Sequence, residues 1–374
     1  MARILTEAQN RLGMNSKLYS VIETDLRNAP LSSPKHTAAA AIDQYAIKNP
    51  KFNSPLSLIR DSINGMETSS LDDSDVIHLH GVTGVLNPAA IEEVSRGKRM
   101  IWTLHDMNPF TGGCHYSLGC AGFRATCSLC PAVRPIFQSL ISKNLSTKAR
   151  HVSEIKNLTV IAPSTWLAEE ARRSATFESA DISVISNPVN PIFLTTDERP
   201  SSPNEKQTFR TIAVAKNLSD PVKDIDFAVQ AFRANFRNNE RTELVLVGKG
   251  GGKFEGPGIK LIGEQSPKSL AEEFSRADAL IVSSKAENAP LVVAEASVRG
   301  CIPLIRSGVG GMDEMISSIG FGHSFSDVTG LTSLLNSLSG RSRPNSAASR
   351  GKIISAATKL FSPEAVAREY GKVY

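Results

Sequence analysis

No apolar run in this 374-residue chain approaches the roughly 20 residues that a membrane-spanning helix needs, so none is expected. The chain also opens without the short apolar core of a secretory leader, and the expectation is residence in the cytoplasm. No internal repeat and no low-complexity tract is present, which argues against a repeat array or a disordered scaffold. Charge of one sign is not in large excess: the formal net charge is +5, and no motif supports nucleic-acid binding. Cysteine is scarce, five residues in all. What remains is an ordinary globular composition, 41% apolar and 21% charged, long enough for two domains with separate cores.

What is there is a regular alternation. In the first half Lys17–Ile22, Asp75–His80, Arg99–Leu104, Asn157–Ala162 and Asp181–Ile185 read as strands, with helical patterns around Pro88–Ser95 and Trp166–Ser174. The polar stretch from Thr195 to Gln207 reads as a linker. Beyond it the alternation resumes with strands Thr211–Ala215, Glu243–Val247, Ile259–Ile262 and Ala279–Ser283, and helices Ile225–Asn235 and Lys268–Ala277. Repeated βα units imply parallel sheets covered by helices on both faces.

The most informative segment is Lys285-Ala-Glu-Asn-Ala-Pro-Leu-Val-Val-Ala-Glu295, after the short apolar strand Ala279–Ser283. Two carboxylates, Glu287 and Glu295, straddle a loop-to-helix junction with Pro290 placed as the first helical residue. Strand, polar loop and helix in that order put the loop at the carboxyl edge of an open sheet, where α/β proteins bind ligands. Backbone N–H groups near Leu291 and Val292 would face an anion there, Glu287 would accept from sugar hydroxyls, and Glu295 from a ribose. Taken alone, the same pair also fits two solvated glutamates on an ordinary helix.

This segment, with Gly300 and Gly310-Gly311 after it, resembles the donor-site signature of retaining GT-B glycosyltransferases of the family-4-like group. His78-Leu-His80, Trp102-Thr-Leu-His-Asp106, Pro109-Phe-Thr-Gly-Gly-Cys-His-Tyr116, Ala162-Pro-Ser-Thr-Trp166 and Ile185-Ser-Asn-Pro188 resemble the exopolysaccharide, colanic-acid-type members. The resemblance implies an α/β GT-B fold: two Rossmann-like domains facing across a cleft. It places an acceptor-side domain at 1–194, joined by a C-terminal helix at 362–374 that packs back on it, and a nucleotide-sugar domain at 208–361. It implies a donor site of Lys216, Lys223, Glu287, Asn288, Ala289, Pro290, Leu291, Glu295, Gly310 and Gly311, with His105, Lys223 and Glu287 at the reacting centre and Asp106 orienting His105.

In that reading a sugar moves with retention from a nucleotide diphosphate donor to a glycan or lipid-linked acceptor in surface polysaccharide biosynthesis. Fixed cations stabilise the departing diphosphate, so no catalytic metal is expected. A lysine at position 216, where relatives commonly carry arginine, offers a point charge in place of a fork. Val247-Gly-Lys-Gly-Gly-Gly252 is given a minor role near the nucleotide, and Gly308–Gly311 a close backbone approach to the donor. His78 and His80 are read as structural.

Three further expectations follow. Cys114, Cys120, Cys127 and Cys130 fall within seventeen residues and suggest a structural zinc site, with free thiols or a redox pair as the other readings. Between Ala121 and Val160 six basic residues (Arg124, Arg134, Lys143, Lys148, Arg150, Lys156) face one acid, Glu154. That cluster suits peripheral contact with an anionic membrane at its inner face, or simply a solvated helix face. Finally, the chain starts inside what resembles the first helix of the family's fold, so the N-terminal domain is expected to lack its first strand. A catalytically inactive sugar-nucleotide-binding protein and a GT-B-fold sugar-nucleotide epimerase are the alternative functions.

Overall fold

The structure, a computed structural model, describes residues 1–19, 46–47, 54–60, 71, 73–195, 208–237, 240–340 and 347–374. They form two compact units, one of Ala2, Asn15–Ile185 and Glu369–Tyr374, the other of Met1, Arg3–Met14 and Ser186–Arg368. The division at Ile185 lies ahead of the expected domain limit at 194, and the linker residues 196–207 lie outside the described set.

Helix α1 (Ala2–Arg11) buries Leu5, Ala8 and Gln9 and ends before Gly13, whose φ of 87° suits a helix stop. It falls almost wholly with the C-terminal unit, contrary to the expected assignment to the first domain. One reason is the Arg11–Glu364 ion pair at 2.9 Å, which ties α1 to the chain's last helix.

The N-terminal unit holds a four-stranded sheet, β1 (Val76–His80), β2 (Arg99–Thr103), β3 (Leu158–Ala162) and β4 (Asp181–Val184), parallel and in chain order. Between the strands run α2 (Pro88–Val94), α3 (Gln138–Ser153) and α4 (Thr165–Arg172). Every residue of β3 is buried, as a parallel strand covered on both faces requires. Ser164 and Asn87 accept from the first-turn amides of α4 and α2, which fixes where each helix begins. The expected strand at Lys17–Ile22 is not seen: Lys17–Tyr19 is irregular, and residues 20–22 lie outside the described set. Among the described residues β1 pairs only with β2.

The C-terminal unit is built on six parallel strands: β5 (Phe209–Asn217), β6 (Thr242–Lys249), β7 (Ile259–Leu261), β8 (Ala279–Val282), β9 (Ile302–Arg306) and β10 (His323–Phe325). Their order is β10-β9-β8-β5-β6-β7. Chain order therefore reverses between β5 and β8, the switch point beside which open α/β sheets bind ligands. The helices are α5 (Ile225–Phe236), α6 (Pro267–Arg276), α7 (Leu291–Val298), α8 (Met312–Ile319), α9 (Val328–Gly340), α10 (Ala347–Phe361) and α11 (Pro363–Tyr370).

Alternate residues of each strand face opposite helical layers. Ile212, Val245, Leu280 and Ile305 pack with Val293, Met312 and Phe361. Their neighbours Ala213, Leu244, Ile281 and Leu304 pack with Phe232, Leu331 and Leu335. Cys301 is buried immediately before β9, and its thiol meets the Phe274 carbonyl at 3.0 Å.

Candidate functional site

The loop after β5 and the loop after β8 lie side by side because their strands are neighbours. The Ser283 hydroxyl donates to the carbonyls of Lys223 (3.0 Å) and Asp224 (2.9 Å), and the Lys285 amide donates to the Val222 carbonyl (2.7 Å). Asp224 caps α5 with φ 48°, a left-handed conformation that Asp tolerates better than most residues. Its carboxylate takes Arg306 at 2.9 Å and Lys285 at 3.2 Å, while Arg306 lies 4.7 Å over the Phe227 ring.

The result is that Lys223 and Glu287 meet: Nζ stands 2.5 Å from Oε1. Glu287 is buried (7% exposed side chain), whereas Lys223 keeps 29% of its side chain in solvent. An ammonium so held retains further N–H donors for an incoming anion.

Pro290 is the N-cap of α7 and Leu291 its first residue, one position later than expected, and no side chain caps this end. Glu287, Asn288 and Ala289 therefore stand in the loop, and Glu295 is the fifth residue of the helix. Burial raises the Glu295 carboxyl to about pH 7. Among the described residues Glu295 has no ion-pair partner. Lys216 is the exposed penultimate residue of β5 and, among the described residues, forms no ion pair.

The glycines have a reason of their own. A Cβ on Gly310 (φ 56°) would stand 1.5 Å from the Glu287 carbonyl oxygen, and the Gly311 amide donates to the Asn288 carbonyl at 3.0 Å. The Gly308–Gly311 loop is thus stacked on the backbone of the acidic loop, and this contact by itself demands glycine. In the same way a Cβ on Gly248 would collide with the Ala215 carbonyl, at 1.8 Å.

In the N-terminal unit, considered by itself, His105 lies two residues past β2 and its Nε2 is 3.2 Å from His80 Nδ1. His80 packs against His78 with tilted rings whose centroids are 4.0 Å apart. His78 in turn bonds Tyr374 Oη (2.7 Å) and Thr103 Oγ1 (2.8 Å), and Thr103 meets Tyr370 Oη at 2.8 Å. Burial is the largest cause lowering the histidines, with neighbouring imidazoles adding to it at His78 and His80: His78 falls to about 3, His80 lies well below its ordinary value, and His105 lies below its own. All three are neutral rings at physiological pH.

Asp106 acts on His105 through its charge, which opposes the lowering by burial. Its two oxygens are taken by the Asn108 amide (2.7 Å) and by His115 Nδ1 (2.6 Å), whose Nε2 reaches Ser57 Oγ at 3.0 Å. The Gly112–Gly113 turn is pinned into the core by Asn144 and Asn108, which donate to the two glycine carbonyls at 2.8 and 2.7 Å.

Lys148 also corrects an expectation. It is 7% exposed, and its ammonium donates to the carbonyls of Asn108 (2.5 Å) and Thr111 (3.1 Å), so it belongs to the interior and not to a basic face. Burial lowers it to about 8. Cys114, Cys120, Cys127 and Cys130 line one cavity with Phe123 and Ile141, and all are free thiols. Burial pushes Cys114 up to about 12 and Cys127 to about 11. Among the described residues no group of three or more His, Cys, Asp or Glu side chains is disposed to hold a metal ion, so the zinc reading finds no ready-made site.

Residues 195–325 match the family Glycosyl transferases group 1. This segment, about a third of the chain, is similar to a group 1 glycosyl transferase domain. The matched segment spans the β5, β6, β8 and β9 strand ends and contains Lys216, Lys223, Glu287, Glu295, Gly310 and Gly311. Over 211 residues the chain is 25% identical to a colanic acid biosynthesis glycosyl transferase, WcaC of Escherichia coli (strain K12), covering 55% of this chain. The match spans about half, 51%, of that relative's length. Among solved structures it is similar to Alr3699/HepE of Anabaena in complex with UDP, at a TM-score of 0.58 and 15% identity over 82% of this chain and 80% of that one. A sucrose-phosphate synthase from Thermosynechococcus elongatus gives a TM-score of 0.55 at 17% identity, covering 80% and 73%. These likenesses give the fold, two α/β units on parallel sheets of the GT-B class.

Sequence reading of the group 1 domain found Lys223 and Glu287 but missed Asp224, Ser283 and Arg306, which hold them together. In the other unit it missed His115, Lys148, Tyr370 and Tyr374. Each of these acts through a partner distant in sequence, which spacing does not reveal.

Proposed function

We propose that this protein is a retaining glycosyltransferase that moves a sugar from a nucleoside diphosphate donor to a glycan or lipid-linked acceptor in surface polysaccharide biosynthesis, working in peripheral contact with an anionic membrane. The observation that carries this reading is the Lys223–Glu287 pair at the switch point of the group 1 domain, beside the uncapped start of α7. A diphosphate placed there would meet the Lys223 ammonium, Lys216 and the first amides of α7, all of which favour the charge that builds as it leaves.

Glu287 would accept from hydroxyls of the donor sugar and Glu295 from the ribose, with Asn288, Ala289, Pro290 and Leu291 shaping the loop and Gly310 and Gly311 supporting it. His105 is assigned to the reacting centre as a neutral hydrogen-bonding ring. In the reaction the anomeric carbon–oxygen bond to the diphosphate breaks as the acceptor oxygen adds on the same face. The acceptor's proton passes to the departing diphosphate. The relatives of similar fold fit a nucleotide-sugar donor, since Alr3699/HepE was solved with UDP-glucose.

The experiment is a panel of nucleoside diphosphate sugars with lipid-linked and glycan acceptors, with products read by NMR of the anomeric proton. A glycoside of the donor's own anomeric configuration is expected. An inverted product overturns the retaining assignment. Tight donor binding without turnover identifies an inactive binding protein, and conversion of the donor sugar without acceptor identifies an epimerase.

A further inference from the structure

The segment from Met107 to Ser153 contains no Asp or Glu. Its surface carries an unusual set of side chains: Leu129 is 89% exposed, Ile136 73% and Leu140 39%. They lie close together. The Gln138 side chain clamps the Cys130 peptide from both sides, accepting from its N–H at 2.6 Å and donating to its carbonyl at 2.8 Å, so Leu129 is held beside the start of α3. Ile136 sits in the single 3₁₀ turn Pro135–Phe137 that runs directly into α3, and Leu140 follows four residues later. Lys143, three residues past Leu140, shares its helix face and is exposed, as is Arg134.

Of the six basic residues in the cluster, Lys148 is interior and Arg124 pairs with Glu170 at 3.1 Å. Of the other four, all exposed, Arg134 and Lys143 stand beside the protruding apolar side chains, while Arg150 and Lys156 lie at and beyond the far end of α3. Among the described residues no helix is long and apolar enough to cross a membrane.

We infer that Leu129, Ile136 and Leu140, framed by Arg134 and Lys143, form a docking surface for the interface of an anionic phospholipid bilayer. This deepens the membrane contact of the functional reading above and rests on it only for its purpose. Isolated leucine and isoleucine side chains standing nearly free in water match a soft, deformable headgroup layer. A rigid protein partner would instead select a flat, continuous patch. The uninterrupted absence of carboxylates supplies the complementary sign. The clamped Cys130 peptide and the α3 start hold the protruding side chains on ordered elements.

The test is co-sedimentation of the full chain with vesicles of phosphatidylcholine alone or with one-third phosphatidylglycerol, at low and high salt. Binding to the anionic vesicles that weakens with salt is expected. Leu129→Ser with Ile136→Ser should lower the partition coefficient roughly tenfold at both salt concentrations. Arg134→Ser with Lys143→Ser should lower it about tenfold at low salt only. Thermal midpoints and donor turnover in vesicle-free buffer should stay at the wild-type level, so a lost membrane surface is told apart from a lost enzyme.

Absence of wild-type binding to anionic vesicles overturns the proposal, as does equal binding by both double variants. A wild-type dimer that the serine pair dissociates while vesicle binding persists shows that the surface joins two copies of the chain, and overturns it too.

Discussion

Glu295 is a residue kept at a cost. Its folded pKa of about 7 lies above the ordinary carboxylate value of 4.5, so the native state binds more protons than the unfolded one between those values. Stability therefore falls as pH rises from about 4.5 to 7, and the full penalty remains above that window. Glu295→Gln should raise the unfolding free energy at pH 8 by about 2 kcal/mol and leave it nearly unchanged at pH 4, measured by urea titration. The same variant should weaken nucleotide binding measured by calorimetry, because the ribose loses its charged acceptor. Lys223→Ala acts oppositely, leaving the buried Glu287 carboxylate alone. It should cost about 2 kcal/mol of stability and roughly a hundredfold or more in kcat/KM for sugar transfer. Wild-type turnover in that variant would remove Lys223 from the reaction. At this scale the sequence was readable for residues whose role lies in a local pattern, such as Glu287 and Glu295 across one junction. It was silent on Asp224 and Arg306, whose contact spans 82 positions.

The elements were legible nearly throughout. Strands β1 to β8 start and end within two residues of the alternation read from the sequence; β3 and β8, buried throughout, leave continuous apolar runs. Strands β9 and β10 and helices α3 and α8 to α10 carry no assignment from the sequence. Ile302–Arg306 is interrupted by Pro303 and His323–Phe325 is only three residues long, which weakens the pattern. What the elements do to each other was less visible. Gly310 was read as a place where the donor approaches the backbone, whereas it is the Glu287 carbonyl that approaches. Gly310→Ala should then shift the acidic loop whether or not nucleotide is present. We expect a loss of about 3 kcal/mol in unfolding free energy together with a fall in nucleotide affinity. A variant with wild-type stability and weaker binding would return the glycine to direct donor contact.

Across the molecule the last six residues have an effect out of proportion to their length. Tyr370 is 1% exposed and meets Thr103, Tyr374 meets His78, and Arg99 donates to the Val373 carbonyl at 2.7 Å. Removing Glu369–Tyr374 uncovers the β1–β2 end of the N-terminal sheet and leaves His78 and Thr103 without these hydroxyls. The truncated chain should lose about 3–5 kcal/mol in urea unfolding, and an unchanged midpoint would show the tail to be dispensable. The chain's periodicity alone determined that it is α/β with parallel sheets, since burial on both faces must be written into every strand. Composition alone determined that two cores are affordable at this length. The reversal of strand order between β5 and β8, the pairing of Lys223 with Glu287, the turning of Asp106 toward His115, and the burial of Lys148 were decided only by the tertiary structure. Each depends on which strands become neighbours, and neighbours are chosen by packing that no stretch of local sequence specifies.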